Sequence, residues 1–490
     1  MSRMGRGLFL AGILTVMMIG SVCAEPAETI EERRALDVVK AIQTGDAEAL
    51  LSRMRENWIP ANDLGNREAR WRQMAATLTE EHKELEIAGV VADQEHQITV
   101  IADQPDGLAL RFTFTFEAET PYRVTGMSVE AGEQERGGID LPPFELPPGS
   151  DRQTIVKALT EWFDGLAKDD VFSGTALVAW QGHTVFSGAW GLASREWSVP
   201  NRVDTRFDLG SINKSFTRIA IGQLAAQGKL TFDDLISGHL PDYPNNEVAR
   251  KVTIRHLLDH SSGLGDIFTE EFFRSSKALY RRPRDFFPLF AGQPLLFEPG
   301  ERSQYSNAGF MVLGAIIEAV SKETYDEYVE KYIFEPAGMT NAGFFAKDQI
   351  VPNVAVGYTR NGPEGKSEAL HNNLHILPIK GNSAGSAQAT VEDLLRFDDA
   401  LREYRLLSPA YTLWYFGGEE PAPSAESAET TERATAASGI AGGAPGVSAV
   451  LESDADLAVI VLSNCDPPIT ESIAQRLSQP LRRALQSTGK

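Results

Sequence analysis

Cysteine is almost missing from this chain. Cys23 and Cys465 are the only two in 490 residues. Cys23 lies in a segment expected to be removed, so no intrachain disulfide is available and stability must come from packing. Positive charge is also short. Lys and Arg number 46 against 68 Asp and Glu, a net charge of −22, and such a surface disfavours nucleic acid as a partner. Beyond the first two dozen residues no apolar run is long enough to cross a bilayer. Histidine stops at His375, and no lysine falls between Lys380 and Lys490.

What is present begins with a leader. Arg3 and Arg6 precede an apolar run from Gly7 to Gly20, and Val22-Cys23-Ala24 supplies small residues before Glu25. This is the layout of a cleaved signal peptide over residues 1–24, so the mature protein is expected in the periplasm or outside the cell, with no membrane span after cleavage. Hydrophobic residues make up 42% and charged residues 23% of the chain, as in a soluble globular protein. Its length exceeds one ordinary core, and two domains are expected.

Residues 25–140 read as a small α+β domain. Thr29 and Glu32 have capping-box spacing ahead of Leu36, Val39 and Ile42, which repeat at helical spacing. Asp46 can cap a second helix through Leu51, and a third helical stretch runs near residues 67–78. The period then falls to two: Leu110, Phe112, Phe114 and Phe116 alternate with Arg111, Thr113 and Thr115, the pattern of a half-buried strand. Flanking strands are expected at 85–91, 98–102 and 122–129. Residues 141–152 read as a Pro-rich linker. The second domain, 153–490, opens with a helix near 155–166 and a hairpin turning at Gln181-Gly182. It closes with a hairpin turning at Ser453-Asp454 and a helix near 470–485. Terminal strands and helices around a helical middle give an α+β sandwich. Residues 418–438, rich in Glu, Ala, Ser and Thr, read as a mobile loop.

The chemistry gathers at Ser211-Ile212-Asn213-Lys214. Apolar residues recur at Ile212, Phe216, Ile219, Ala220 and Leu224, with Gly228 as a stop, so Ser211 sits at a helix start with Lys214 on the same face. A serine hydroxyl needs a base beside it. A lysine serves only if its pKa falls from about 10.4 to roughly 7–8, which burial at the positive end of a helix promotes. Ser-x-x-Lys alone has a bland reading, a capping serine and a solvated lysine. Tyr305-Ser306-Asn307 adds to it. That triplet follows Phe297-Glu298-Pro299-Gly300 and precedes a helix with apolar face Phe310, Leu313, Ile317 and Val320.

Together these motifs resemble the serine β-lactamase and penicillin-binding-protein-like hydrolases. The resemblance spans about residues 155–485. It extends to Gly228-Lys229-Leu230-Thr231, to the run from Thr253 to Leu264 containing His256, His260 and Ser261-Ser262-Gly263, and to Gly357-Tyr358, Ser383-Ala384-Gly385 and Gly443-Ala444-Pro445-Gly446. It implies a β-lactamase/transpeptidase-like fold: an antiparallel sheet flanked by helices plus an all-helical region. It assigns acylation chemistry to Ser211, Lys214 and Tyr305, gives Asn307 an orienting role, and calls for no cofactor and no metal. The substrate is expected to be a small-molecule or peptide-like acyl compound. The N-terminal pattern, helices before a curved sheet, resembles the nuclear-transport-factor-2-like fold.

One departure stands out. The family's third motif, Lys-Thr-Gly or His-x-Gly, falls on Ile440-Ala441-Gly442. Its backbone role survives, with the amides of Ser211 and Gly443 as expected oxyanion donors. The missing cation implies weakened carboxylate recognition, and so esters or simple amides before β-lactams or D,D-peptides. A D,D-peptidase or β-lactamase, and an inactive ligand-binding homologue, are the alternative readings.

Three rival sites are weaker. Gly381-Asn382-Ser383-Ala384-Gly385 matches a nucleophile elbow, but no histidine follows it to complete a triad. His256 with His260, and His371 with His375, have helical metal spacing but lack an adjacent Glu, and structural roles are expected. Cys465 reads as a buried thiol with no base.

Overall fold

The computed structural model describes residues 29–57, 72, 75, 78–79, 85–94, 97–103, 108–117, 120, 122–133, 141–362, 365–421 and 433–486. The expected signal peptide, most of the 67–78 helix and residues 422–432 of the expected loop lie outside them. The chain divides into two compact units, Met1–Gln134 and Glu135–Lys490.

The first unit carries helices α1 (Ile30–Gln43) and α2 (Ala47–Asn57), followed by strands β1 (Glu86–Gln94), β2 (Gln97–Asp103), β3 (Leu108–Phe116) and β4 (Val124–Glu133). The strands form an antiparallel meander in sequence order. Thr29 and Glu32 make the capping box. Helix α2 runs past Leu51 because Met54 is also buried. The Phe-rich alternation of β3 is realised: Leu110, Phe112, Phe114 and Phe116 are buried with Val38, Val39, Ile42 and Val100 in one core. Each large apolar side chain so buried contributes about 1.5–3 kcal/mol.

The second unit is built on a five-stranded antiparallel sheet. Its elements include helix α3 (Arg152–Lys168), strands β5 (Gly174–Trp180) and β6 (His183–Trp190), and helices α4 (Asn213–Ala226), α5 (Asn307–Ser321) and α6 (Val391–Arg402). Strands β7 (Ser438–Ala444), β8 (Val447–Ser453) and β9 (Leu457–Ser463) and helix α7 (Ile469–Gln486) complete it. The sheet order is β7-β8-β9-β5-β6, so early and late strands of this unit meet where β9 pairs with β5.

Period two divides the sheet between two cores. Ala176, Val178, Val459 and Val461 face α3 and α7. Leu177, Ala179, Ile460 and Leu462 face the helical region that holds α4 and α5. Helix α4 is buried on nearly every side, as a central helix must be.

Residues 141–152 depart from the linker expectation. Leu141 and Phe144 are buried in the α3/α7 core. The Trp162 indole N–H donates to Pro142 O at 3.1 Å, and its ring meets Phe144 edge-on at 5.8 Å. Prolines here stiffen a segment that two apolar side chains pin down. The 418–438 expectation also narrows: Ala434 is buried and accepts from Arg402, and Ser438 already begins β7. Among the described residues no helix is long and apolar enough to cross a membrane.

Candidate active site

Ser211 sits in a single 3-10 turn, Gly210–Ile212, that leads into α4. Gly210 adopts a φ of +49°, a region that favours glycine. Its N–H donates to the half-buried Asp208 carboxylate at 2.8 Å, which clamps the approach to the serine. Burial raises the Asp208 pKa, and Lys347 opposes that shift.

One turn on, Lys214 is 8% exposed. Its Nζ lies 3.1 Å from Ser211 Oγ, and donates to Asn307 Oδ1 at 2.8 Å and to Ala384 O at 2.7 Å. The rings of Tyr305 and Phe310 lie 4.7 and 5.5 Å from it. Among the described residues no carboxylate touches this amine. Burial therefore pushes Lys214 down to about 7, with Asp266 pulling the other way. A neutral amine is accessible near physiological pH, which is what a general base requires.

On the other side of the serine oxygen, Tyr305 OH stands 2.6 Å from Ser211 Oγ. The tyrosine ring is half exposed and stacks on His260 at 4.6 Å. His260, at a φ of +55°, accepts at Nδ1 from the Ser306 N–H. Burial, with Lys214 and Arg218 nearby, drives its pKa to about 4. The neutral ring is a platform for Tyr305. Ser306 caps α5, accepting from Gly309 N–H and donating to Gly265 O. Asn307 is the first residue of that helix.

The structure thus brings Ser211, Lys214, Tyr305 and Asn307 together. Ile440, Gly442 and Gly443 lie on β7, the sheet edge beside the serine. A Cβ on Gly442 would fall 2.0 Å from Leu209 O and 2.7 Å from Ser211 N. Backbone alone fits there. Ile440 is half-buried against the helical core.

Two groups escaped sequence reasoning. Asp266 accepts from Asn307 Nδ2 at 3.0 and 3.2 Å and from Asn307 N at 3.0 Å. It stands in an aperiodic stretch, 41 residues from its partner, and carries no local signature. Asn213, inside the Ser-x-x-Lys motif, bridges Asn382 O and Ala387 N, fastening α4 to the segment that supplies the Ala384 carbonyl.

The rival sites do not assemble. Ser383 is wholly buried, and its Oγ points at Met311 Sδ, 3.8 Å away, rather than at a base. His256 accepts from Thr253 N–H in a capping box, whereas His260 lies past the end of that helix. His371 lies on a strand, bonded to Ser367. Burial raises the Cys465 thiol pKa, the opposite of an activated cysteine. Among the described residues no cluster of three His, Cys, Asp or Glu is placed to hold a metal.

Comparison with known proteins points the same way. The family model described as Beta-lactamase matches residues 159–479. The chain is 32% identical over 241 residues to "Putative penicillin-binding protein PbpX" of Bacillus subtilis (strain 168), which covers 49% of this chain and 58% of that protein. The chain thus spans 58% of that relative's length. A penicillin-binding protein from Bacillus halodurans is 34% identical with a TM-score of 0.54, covering 64% of this chain and 98% of that one. The D-amino acid amidase of Ochrobactrum anthropi SV3 shares the fold at 22% identity and a TM-score of 0.52, over 67% of this chain and 98% of that one.

Proposed function

The chain belongs to the beta-lactamase family of serine hydrolases, and from that membership we propose that it is an exported acyl-transferring hydrolase with Ser211 as nucleophile, acting on neutral esters or amides. One observation carries this: Ser211 Oγ lies between Lys214 Nζ at 3.1 Å and Tyr305 OH at 2.6 Å. In the proposed acylation, Oγ attacks the acyl carbon while its proton passes to the neutral amine of Lys214. Tyr305 relays that proton to the departing alkoxide or amine. Water then attacks the ester so formed, releases the acid and returns the proton to Ser211. The amides of Ser211 and Gly443 are the proposed oxyanion donors.

The preference for neutral substrates rests on Ile440, which occupies the position where the family's third motif would place a lysine or histidine. The D-amino acid amidase among the fold relatives makes amides a reasonable class alongside esters. We propose likewise that the first unit, which resembles the nuclear-transport-factor-2-like fold, holds a ligand, and that the leader at 1–24 directs export.

A fluorophosphonate probe tests the central point. Covalent labelling at Ser211, lost in Ser211→Ala, is the expected result. A panel of p-nitrophenyl esters, a D-alanine amide and a chromogenic cephalosporin then ranks the substrate classes, with the cephalosporin slowest. Ile440 also favours a second reading, a ligand-binding homologue without turnover. Absence of label with both the fluorophosphonate and a fluorescent penicillin would establish that reading instead.

A further inference from the structure

The oxygens around Lys214 can be counted against its hydrogens. Three lie within reach: Asn307 Oδ1 at 2.8 Å, Ala384 O at 2.7 Å and Ser211 Oγ at 3.1 Å. A neutral amine has two hydrogens and one lone pair. With its hydrogens on the two closer oxygens, its lone pair faces the serine hydroxyl. An ammonium would put a hydrogen on all three and leave nothing to take the serine proton. The arrangement therefore works as a base only while Asn307 shows Lys214 its oxygen. Reversed, its NH2 group would compete for the same lone pair.

Which end faces the lysine is settled on the far side of the amide. Both oxygens of Asp266 accept from Asn307 Nδ2, at 3.2 and 3.0 Å, and a carboxylate has no hydrogen to offer an amide oxygen. Asp266 is itself held: Oδ1 accepts from the Ile267 and Phe268 N–H groups at 2.7 and 3.1 Å, and Oδ2 from Asn307 N at 3.0 Å. Asn307 also heads α5, so its backbone is not free to follow a flipped side chain.

We propose that Asp266 is a positioning residue, which fixes the amide orientation of Asn307 and thereby aims the Lys214 lone pair at Ser211. The proposal rests on the hydrolase reading above. The other ionisable groups around Lys214 are Tyr305, the neutral His260 behind it, and Arg218 one turn along α4, which lies over Trp414 at 4.5 Å. Asp266 is the carboxylate whose charge acts on the amine.

The test uses the full chain as wild type, Asp266→Ala and Asp266→Asn. It follows the rate of fluorophosphonate labelling at Ser211 from pH 5 to 10, alongside thermal melting. Asp266→Ala is expected to slow labelling at least about 10-fold, as for loss of an aligned base. Both variants should move the midpoint of the acid limb down by about half a pH unit or more, since a negative charge that favours the ammonium is gone. A purely structural carboxylate would lower the melting temperature and the rate while leaving that midpoint in place, and this result overturns the proposal. So does an unchanged rate and midpoint in folded Asp266→Ala. Absence of label in the wild type is a different failure: it removes the hydrolase reading, and the proposal with it.

Discussion

Two long cations are buried among the described residues of the second unit, and they are treated in opposite ways. Arg402 is 1% exposed, and each of its three guanidinium nitrogens has an acceptor. Its Nε donates to Asp398 Oδ2 at 2.9 Å, Nη1 to Ala434 O and Ala436 O, and Nη2 to Ser453 Oγ. Ser453 in turn donates to Asp398 Oδ1 at 2.8 Å. Lys214 is nearly as buried, yet its partners are uncharged oxygens and its carboxylate stands behind an amide. A guanidinium cannot readily shed its proton, so burial requires a counter-ion in contact. An amine can become neutral instead. The first arrangement ties α6 to β8 and to the segment leading into β7. The second keeps a proton site poised for transfer.

The contrast can be broken at either end, and the largest effect is expected at the matched one. Asp398→Ala leaves Arg402 charged and unpaired, a loss of about 3–5 kcal/mol. Chemical denaturation measures it, and a loss below about 1 kcal/mol would mean that the guanidinium finds water or another partner. At the other end, Lys214→Met should reduce ester turnover at least about 10²-fold, equivalent to roughly 2.7 kcal/mol. Its melting temperature should stay level or rise at neutral pH, because a poorly solvated amine has gone. A large drop in melting temperature would instead make Lys214 a structural cation like Arg402.

The pH dependence follows from the same difference. The Lys214 proton is held at about 7 in the folded chain against an ordinary value of 10.5. The unfolded chain therefore binds more protons between those limits, and stability rises with pH across that window. In the same way kcat/KM for an ester should climb through about pH 7 as the amine loses its proton, and a flat profile from pH 6 to 8 would count against it. The smallest effect is expected at Ser453→Ala, which removes a hydroxyl shared by Arg402 and Asp398. About 1–2 kcal/mol is anticipated in a denaturant titration, with labelling at Ser211 unaffected.

Much of the site was legible because its parts are local. Ser211 and Lys214 share one helical turn, so spacing alone placed them on a common face, and Tyr305 and Asn307 share one triplet at a helix start. Their meeting across about ninety residues was legible only through the family resemblance. Asp266 had neither aid: a lone aspartate in an aperiodic loop looks the same whether it faces water or an amide. The Pro-rich stretch is hard to read for a related reason. Its composition is that of a spacer, but Leu141 and Phe144, two apolar side chains among prolines, were the sign that it packs. In the first unit the period-two run of β3 was readable because one face is buried and Thr115 is exposed.

Gly442 has a practical consequence for anyone wishing to redirect this protein. With a Cβ there only 2.0 Å from Leu209 O, the wall next to the nucleophile accepts no added atom, so selectivity cannot be retuned at that point without displacing the serine itself. Ile440, two residues away on the same strand, already carries a side chain in tolerated space. A library meant to recruit acidic substrates would therefore begin by diversifying position 440 and leave 442 untouched.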